Sequence, residues 1–221
     1  CNLSPTAQTG WYRSRGPTIQ ASLFTEFAGI FAAILALFAA VPYTMEICNG
    51  YRPSYATWIV WFAVGTTVFV FHLQTGAEDS IWLPLMYAVV PLWYLALLVF
   101  LKAKWEMDRL ECVCLTGAGA SWLIWVLSHK FGGGVLGETL PLFAIVVVDG
   151  TGSVPTIRRA WRGFEFENAF SWLITGLATS AELFAIDNWQ SAEAIYPTYL
   201  AVAMGMIAVF ANIRKAPLVA A

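Results

Sequence analysis

Charge is the first thing this sequence has little of. Only 12% of its 221 residues are Asp, Glu, Lys or Arg, against roughly a quarter in a soluble domain, while 59% are hydrophobic and the mean hydropathy is +0.66. That balance excludes a soluble fold and implies an integral membrane protein. Long basic runs are also missing, so nothing points to nucleic acid as a partner. Histidine occurs twice and cysteine four times. Cys112 and Cys114 form C-x-C, but residues two apart on a helix point to different faces, and no neighbouring His or Cys completes a tetrahedral metal set. With Cys48 they read as reduced, buried packing residues. A nucleophile elbow, a phosphate loop, an H-E-x-x-H motif and a spaced carboxylate pair are all absent. Neither catalysis nor a cofactor, metal or otherwise, has support.

What the chain does have is apolar length. A helix needs about 20 mostly apolar residues to cross the hydrocarbon of a bilayer, and seven runs qualify, near 24–45, 57–74, 81–101, 111–129, 139–157, 169–186 and 192–213. Continuous runs such as Ile30 to Ala40 and Leu95 to Leu101 exclude the short alternating strands of a barrel. Seven spans put the termini on opposite sides. With the N-terminus outside, Arg52, Lys102, Lys104, Arg109, Arg158, Arg159, Arg162, Arg214 and Lys215 fall on the cytoplasmic side and only Arg13, Arg15 and Lys130 outside, as the positive-inside rule requires. The expected location is a bacterial inner membrane, N-out and C-in. The chain starts at Cys1 rather than Met, which raises signal cleavage and, as in mature bacterial lipoproteins, lipidation.

The run Val41-Pro42-Tyr43-Thr44-Met45-Glu46-Ile47-Cys48-Asn49-Gly50-Tyr51-Arg52-Pro53-Ser54-Tyr55-Ala56-Thr57-Trp58 has a second version from Val154-Pro155 to Trp172. Val41-Pro42, Gly50, Pro84 and Lys102 match Val154-Pro155, Gly163, Pro197 and Lys215 at one offset, with Trp58 and Trp172 shifted by one. Self-similarity at long period in an apolar chain predicts two bundles related by a pseudo-two-fold axis. The expected fold is an all-α integral membrane protein of seven transmembrane helices, two parallel three-helix repeats joined by a linker helix. Residues 1–23 form an extracellular arm, 24–101 the first repeat, 102–138 a charged link, the linker helix and a flexible outer loop, 139–215 the second repeat, and 216–221 a cytoplasmic tail.

Several residues carry chemical interest. Asp149 lies about ten residues, roughly 15 Å, into the fifth run and so near the bilayer centre. An ionised group there costs about 2.5 to 3.5 kcal/mol on insertion scales, so it is expected to take a proton, a partner or a water-filled cavity. It serves either as a proton-coupling or substrate site, with hydroxyls from the second or sixth span in reach, or as a neutral acid bonded to Thr or Ser neighbours. Asp149-Gly150-Thr151-Gly152-Ser153-Val154-Pro155 is expected to interrupt its helix, and Pro42 to end and kink the first, so Pro42, Pro155, Gly150 and Gly152 are hinge candidates. Thr67, Thr175 and Thr179 sit at mid-depth. Glu182, nearer the outer end, is a further acid with room to snorkel. Trp58 and Trp172 either stack on a sugar or ring substrate or belong to interfacial belts. His72, alone near the outer interface, is a gate, a pH-sensitive group, a pigment ligand or none of these.

Three helices, a linker and three more, each triplet opening on a proline-ended helix and a turn into a Trp- or Ser-led helix, resemble the PQ-loop and SWEET-like superfamily. The corner Val41 to Ser54 is similar to its Pro-Gln motif with a short basic turn and Ser, and Val154 to Trp172 to a second one. In this sequence Tyr43 and Thr156 stand where the Gln would be, and Pro84 and Pro197 fall in the third and seventh spans rather than the second and sixth. The resemblance implies transport of sugars, amino acids, vitamins or nicotinamide riboside through a site between the bundles; one relative is a sorting receptor. Cystinosin-like members carry a proton-coupling acid in the fifth span, where Asp149 stands. The expectation is a carrier for a small polar solute in the lipid bilayer, proton-coupled and able to form a homo-oligomer. The rival is a non-transporting subunit of a larger membrane assembly.

Overall fold

The computed structural model describes residues 19–75, 81–105, 107–131, 134–162, 167–186 and 194–215. Among these residues every regular element is helical: α1 Ile19–Cys48, α2 Tyr55–Thr75, α3 Trp82–Phe100, α4 Arg109–Phe131, α5 Gly134–Arg162, α6 Ala169–Glu182 and α7 Ile195–Lys215, with a 3₁₀ turn Leu183–Ala185 after α6. Cys1, most of the arm, the outer loop at 76–79 and the C-terminal tail lie outside the described residues. The end of the arm does not: α1 begins at Ile19, ahead of the expected start. Likewise α5 begins at Gly134, inside the stretch expected to be a flexible loop.

Local chemistry sets the boundaries. Gly50, with φ +106°, adopts a conformation costly for other residues and lets the Tyr51 and Gly50 N–H groups return to the Glu46 and Ile47 carbonyls at 2.9 and 3.1 Å, the double closure of a helix C-terminus. α2 and α6 start alike. Ser54 Oγ accepts from the Thr57 N–H at 3.3 Å, and Asn168 Oδ1 from the Ser171 N–H at 2.9 Å, each a side-chain cap. α4 opens on a reciprocal pair, Glu111 N–H to Asp108 Oδ1 at 2.9 Å and Asp108 N–H to Glu111 Oε2 at 3.2 Å. This capping box starts the helix at Arg109, within what reads as a charged link.

Two expected breaks do not occur. Pro42 lies inside α1, which runs on to Cys48. The stretch Asp149 to Pro155 is unbroken helix within α5. The Thr151 and Ser153 hydroxyls donate to the Val148 and Asp149 carbonyls at 2.7 and 3.0 Å, and Gly152 serves close packing rather than bending. A Cβ there would lie 2.6 Å from Val60 Cγ1. The Thr57 hydroxyl donates to the Gly152 carbonyl at 2.8 Å, and the Thr156 hydroxyl to Thr57 Oγ1 at 3.2 Å. Contact with α2 therefore outweighs the ~1 kcal/mol by which glycine weakens a helix. Pro42, Pro155, Gly150 and Gly152 are positions in continuous helices.

Helix neighbours form a ring in the order α1, α3, α2, α5, α7, α6 and back to α1, while α4 sits outside it against α5 and, to a lesser extent, α2. The outer surface is apolar, with Phe27, Phe31, Leu37, Val99, Phe100 and Val202 all exposed, a distribution suited to lipid and unusual for a water-facing surface. Cys48 and Cys112 are on the exposed faces and only Cys114 is buried, which corrects the reading of all three as buried packing groups. Three helical segments are long and apolar enough to cross a membrane, Leu23–Cys48, Trp82–Phe100 and Ile195–Ile213, and Tyr55–Val70 and Ala169–Ala185 are shorter apolar helices.

Candidate functional site

Six helices, all but α4, line a cavity of about 80 Å³ inside the ring, enough for several waters at the ~10–15 Å³ that each requires. Ala36, Ala39 and Ala40 of α1 leave the space. The end of the cavity nearest the α1–α2 turn is aromatic, built from Tyr43, Trp58, Trp61, Tyr94 and Trp172. Trp58 and Trp172 hold equivalent places one turn into α2 and α6, with rings 6.2 Å apart and 10° from parallel. Trp61 stands edge-on to them at 5.0 and 5.5 Å, and Tyr43 at 5.4 and 5.7 Å. Both tryptophans named from sequence thus come together in the interior, not in an interfacial belt.

Asp149 stands at the middle of α5, is only 2% exposed and lines the cavity. Its Oδ1 accepts from the Tyr196 hydroxyl at 3.2 Å, and Tyr199 stands beside it, 3.5 Å from Ser153 Oγ. The hydroxyl expected from the second or sixth span comes instead from a tyrosine of α7. Thr175 and Thr179 do line the cavity, but they donate to the Ser171 and Gly176 carbonyls of their own helix, each at 2.9 Å. Thr67 is not on the cavity: its hydroxyl donates to the Ala63 carbonyl at 2.8 Å and accepts from Trp122 Nε1 of α4 at 3.3 Å. Glu182 does not snorkel. It is 3% exposed on the inner face of α6, while Leu177 and Phe184 face outward. His72 Nδ1 lies 2.9 Å from the Val68 carbonyl of its own helix.

Buried polar atoms without partners cluster on this cavity. Trp58 Nε1, Trp61 Nε1, Ser171 Oγ and Asp149 Oδ2 all belong to its walls and make no hydrogen bond. The Tyr87 hydroxyl, also on the wall, faces Glu182 behind it, and each is the other's hydrogen-bonding neighbour. Each unpartnered group costs about 1–3 kcal/mol, so a concentration of them around open space marks a place where something polar binds. Trp61, Tyr87 and Tyr196 escape a sequence reading because each looks like one more aromatic in an apolar run.

Beyond the aromatic end, Glu167 ties the two corners together. It is buried and accepts from Trp172 Nε1 at 2.9 Å, the Tyr43 hydroxyl at 3.4 Å and the Tyr51 hydroxyl. Asn168 Nδ2 donates to Glu46 Oε1 at 2.8 Å. Arg159 donates to the Arg52 carbonyl at 2.8 Å and to Glu111 at 3.1 Å, and Arg158 pairs with Asp108. These arginines therefore hold the corners together. The Glu111 N–H, with help from Arg158, holds the Asp108 carboxyl below the usual range.

Burial pushes the Glu167 carboxyl above the usual glutamate range, against the opposing pull of Tyr51, Trp172, Arg159 and Tyr43. A raised folded-state value means that folding takes up a proton, so this contribution to stability is complete below the ordinary glutamate range and is lost as pH rises through the elevated value. Melting temperature in detergent should fall over that interval for the wild type and change less for Glu167→Gln. Parallel pH profiles for the two proteins would mean that the Glu167 carboxyl titrates alike in the folded and unfolded states, with no upward shift on folding.

Comparison with family models, characterised proteins and solved structures finds no match.

Proposed function

We propose that this protein is a carrier for a small polar solute such as a sugar, amino acid, vitamin or nucleoside, with Asp149 as the group that couples solute movement to protons. One observation carries the reading: a cavity lined by six helices reaches a mid-helix carboxylate that has one oxygen without a partner. A non-transporting subunit has no need of that space, and a dry contact around Asp149 would have favoured it.

The arrangement expected of a duplicated three-helix unit has support in the packing. In each triplet the third helix lies between the other two, α3 between α1 and α2, and α7 between α5 and α6. A two-fold axis through the cavity would exchange the α1–α6 contact with the α2–α5 contact. Pro84 and Pro197 are the third residues of α3 and α7, and both second helices begin with a capped Ser or Asn. The PQ-loop and SWEET-like architecture, with α4 as linker and all seven helices crossing the bilayer, is the reading these features favour.

Two measurements test it. In a version without native cysteines, Lys130→Cys should react with an impermeant maleimide added outside, whereas Lys102→Cys should react only after permeabilisation. Reaction of Lys102→Cys from outside would end the N-out, seven-span topology. In liposomes loaded with a pH dye, the purified protein should move protons when given a transported member of a panel of sugars, amino acids, vitamins, nucleosides and small amines. A correctly folded protein that moves no member of the panel, and co-purifies with a membrane complex, would favour the subunit reading.

A further inference from the structure

The cavity joins two features that select for a particular charge. Its walls include the rings of Tyr43, Trp58, Trp61, Tyr94 and Trp172, and among the described residues Asp149 is the one charged group that lines it. No lysine, arginine or histidine lines it among the described residues. Asp149 is nine-tenths buried and more, makes no ion pair among the described residues, and leaves Oδ2 without a partner. An ionised carboxylate in such a place needs a counter-charge, and none of the described residues supplies one.

We infer that the solute is a small organic cation, an ammonium group carrying a hydroxyl or ether oxygen, that exchanges with a proton at Asp149. The chemistry is complementary at each end. The ammonium is attracted by the carboxylate and by aromatic faces, whose quadrupoles favour a desolvated cation, and the oxygen gives the orphaned Trp58 and Trp61 N–H groups an acceptor. Amino acids and phosphorylated compounds fit less well, because their anionic groups meet no basic side chain. A neutral sugar leaves the carboxylate without its counter-charge unless a proton stays there. One cation arriving at Asp149 displaces one proton, so charge in the cavity is conserved and the two occupants compete.

The titratable groups that face Asp149 are Tyr196 and Tyr199 from α7 and Tyr87 from α3, with Glu182 of α6 behind Tyr87. The tyrosines are neutral hydrogen-bonding groups, and Glu182, a further acid, is on the side that favours a cation. Movement of the cation across the membrane rests on the carrier reading; its binding does not.

The experiment titrates the purified full-length protein with choline and, separately, with the neutral isostere in which carbon replaces the choline nitrogen, following tryptophan fluorescence. Choline should bind about 100-fold more tightly than the isostere. Its affinity should drop by about tenfold for each pH unit of acidification where the proton holds the site. Asp149→Asn should lose choline binding, and Trp58→Leu should weaken it more than Trp58→Phe. Equal affinity for choline and the isostere, or choline binding indifferent to pH, would overturn the inference using the wild type alone, whatever the variants do. Sugar-driven proton flow in liposomes without choline binding would leave the carrier reading standing and remove the cation. Choline binding without any flux would keep the cation site and remove the carrier.

Discussion

Gly65→Ala should abolish most of the folded protein recovered in detergent. A Cβ at position 65 would lie 2.0 Å from the Tyr87 carbonyl oxygen, 2.3 Å from its carbon and 2.8 Å from the Ala88 nitrogen. All three are backbone atoms of α3, so no side-chain rotation relieves the overlap, and α2 and α3 must separate along an interface that also aims Tyr87 at the cavity. Overpacking of this kind costs about 3 kcal/mol or more, a large share of the ~5–15 kcal/mol that holds a typical domain together. Gly119→Ala is the control, because a Cβ there meets nothing within 4 Å and a helix gains up to ~1 kcal/mol from the change. Monodisperse yield and melting temperature by size-exclusion chromatography read both. A Gly65→Ala protein as abundant and as stable as the control would mean that α2 and α3 do not pack as described.

Asp149→Asn should leave the fold standing and lower solute-coupled proton movement in liposomes by about 100-fold or more. The amide keeps the shape of the acid and can still accept from the Tyr196 hydroxyl, so the hydrogen bond at 3.2 Å survives, but it neither binds nor releases a proton at working pH. The uncompensated desolvation of a buried carboxylate also disappears, so the melting temperature should hold or rise. Loss of coupling together with loss of stability would point to a structural role for the acid, and undiminished proton flow would move the coupling site elsewhere, with Glu182 the next acid to examine.

The sequence by itself determined a good deal. Apolar run lengths place the helices, since about 20 apolar residues in a row have few other solutions, and each of the seven runs overlaps one α-helix. Turn chemistry at Asn49-Gly50 and the caps at Ser54 and Asn168 set where α1 ends and where α2 and α6 begin. Asp149 also stood out, because an acid amid Ile145 to Val148 is conspicuous on composition alone. Local rules misled where tertiary contact overrode them. Gly150, Gly152 and Pro155 look like a broken helix if only propensity is weighed, yet α5 is continuous because Gly152 allows Val60 to approach and the Thr57 hydroxyl to reach its carbonyl.

Only the tertiary structure decided which polar groups share a space. Tyr196 meets Asp149 from α7, Tyr51 and Tyr43 meet Glu167 across more than a hundred residues, and Thr67, at the same apparent depth as Thr175, turns away to Trp122. Helical periodicity says which residues share a face of one helix, but not which neighbour that face meets, because the order of helices around the ring follows from packing between segments remote in sequence. For the same reason Glu182 reads as an acid free to snorkel and is instead buried beside Tyr87: its depth is a property of its own helix, whereas its burial depends on α3.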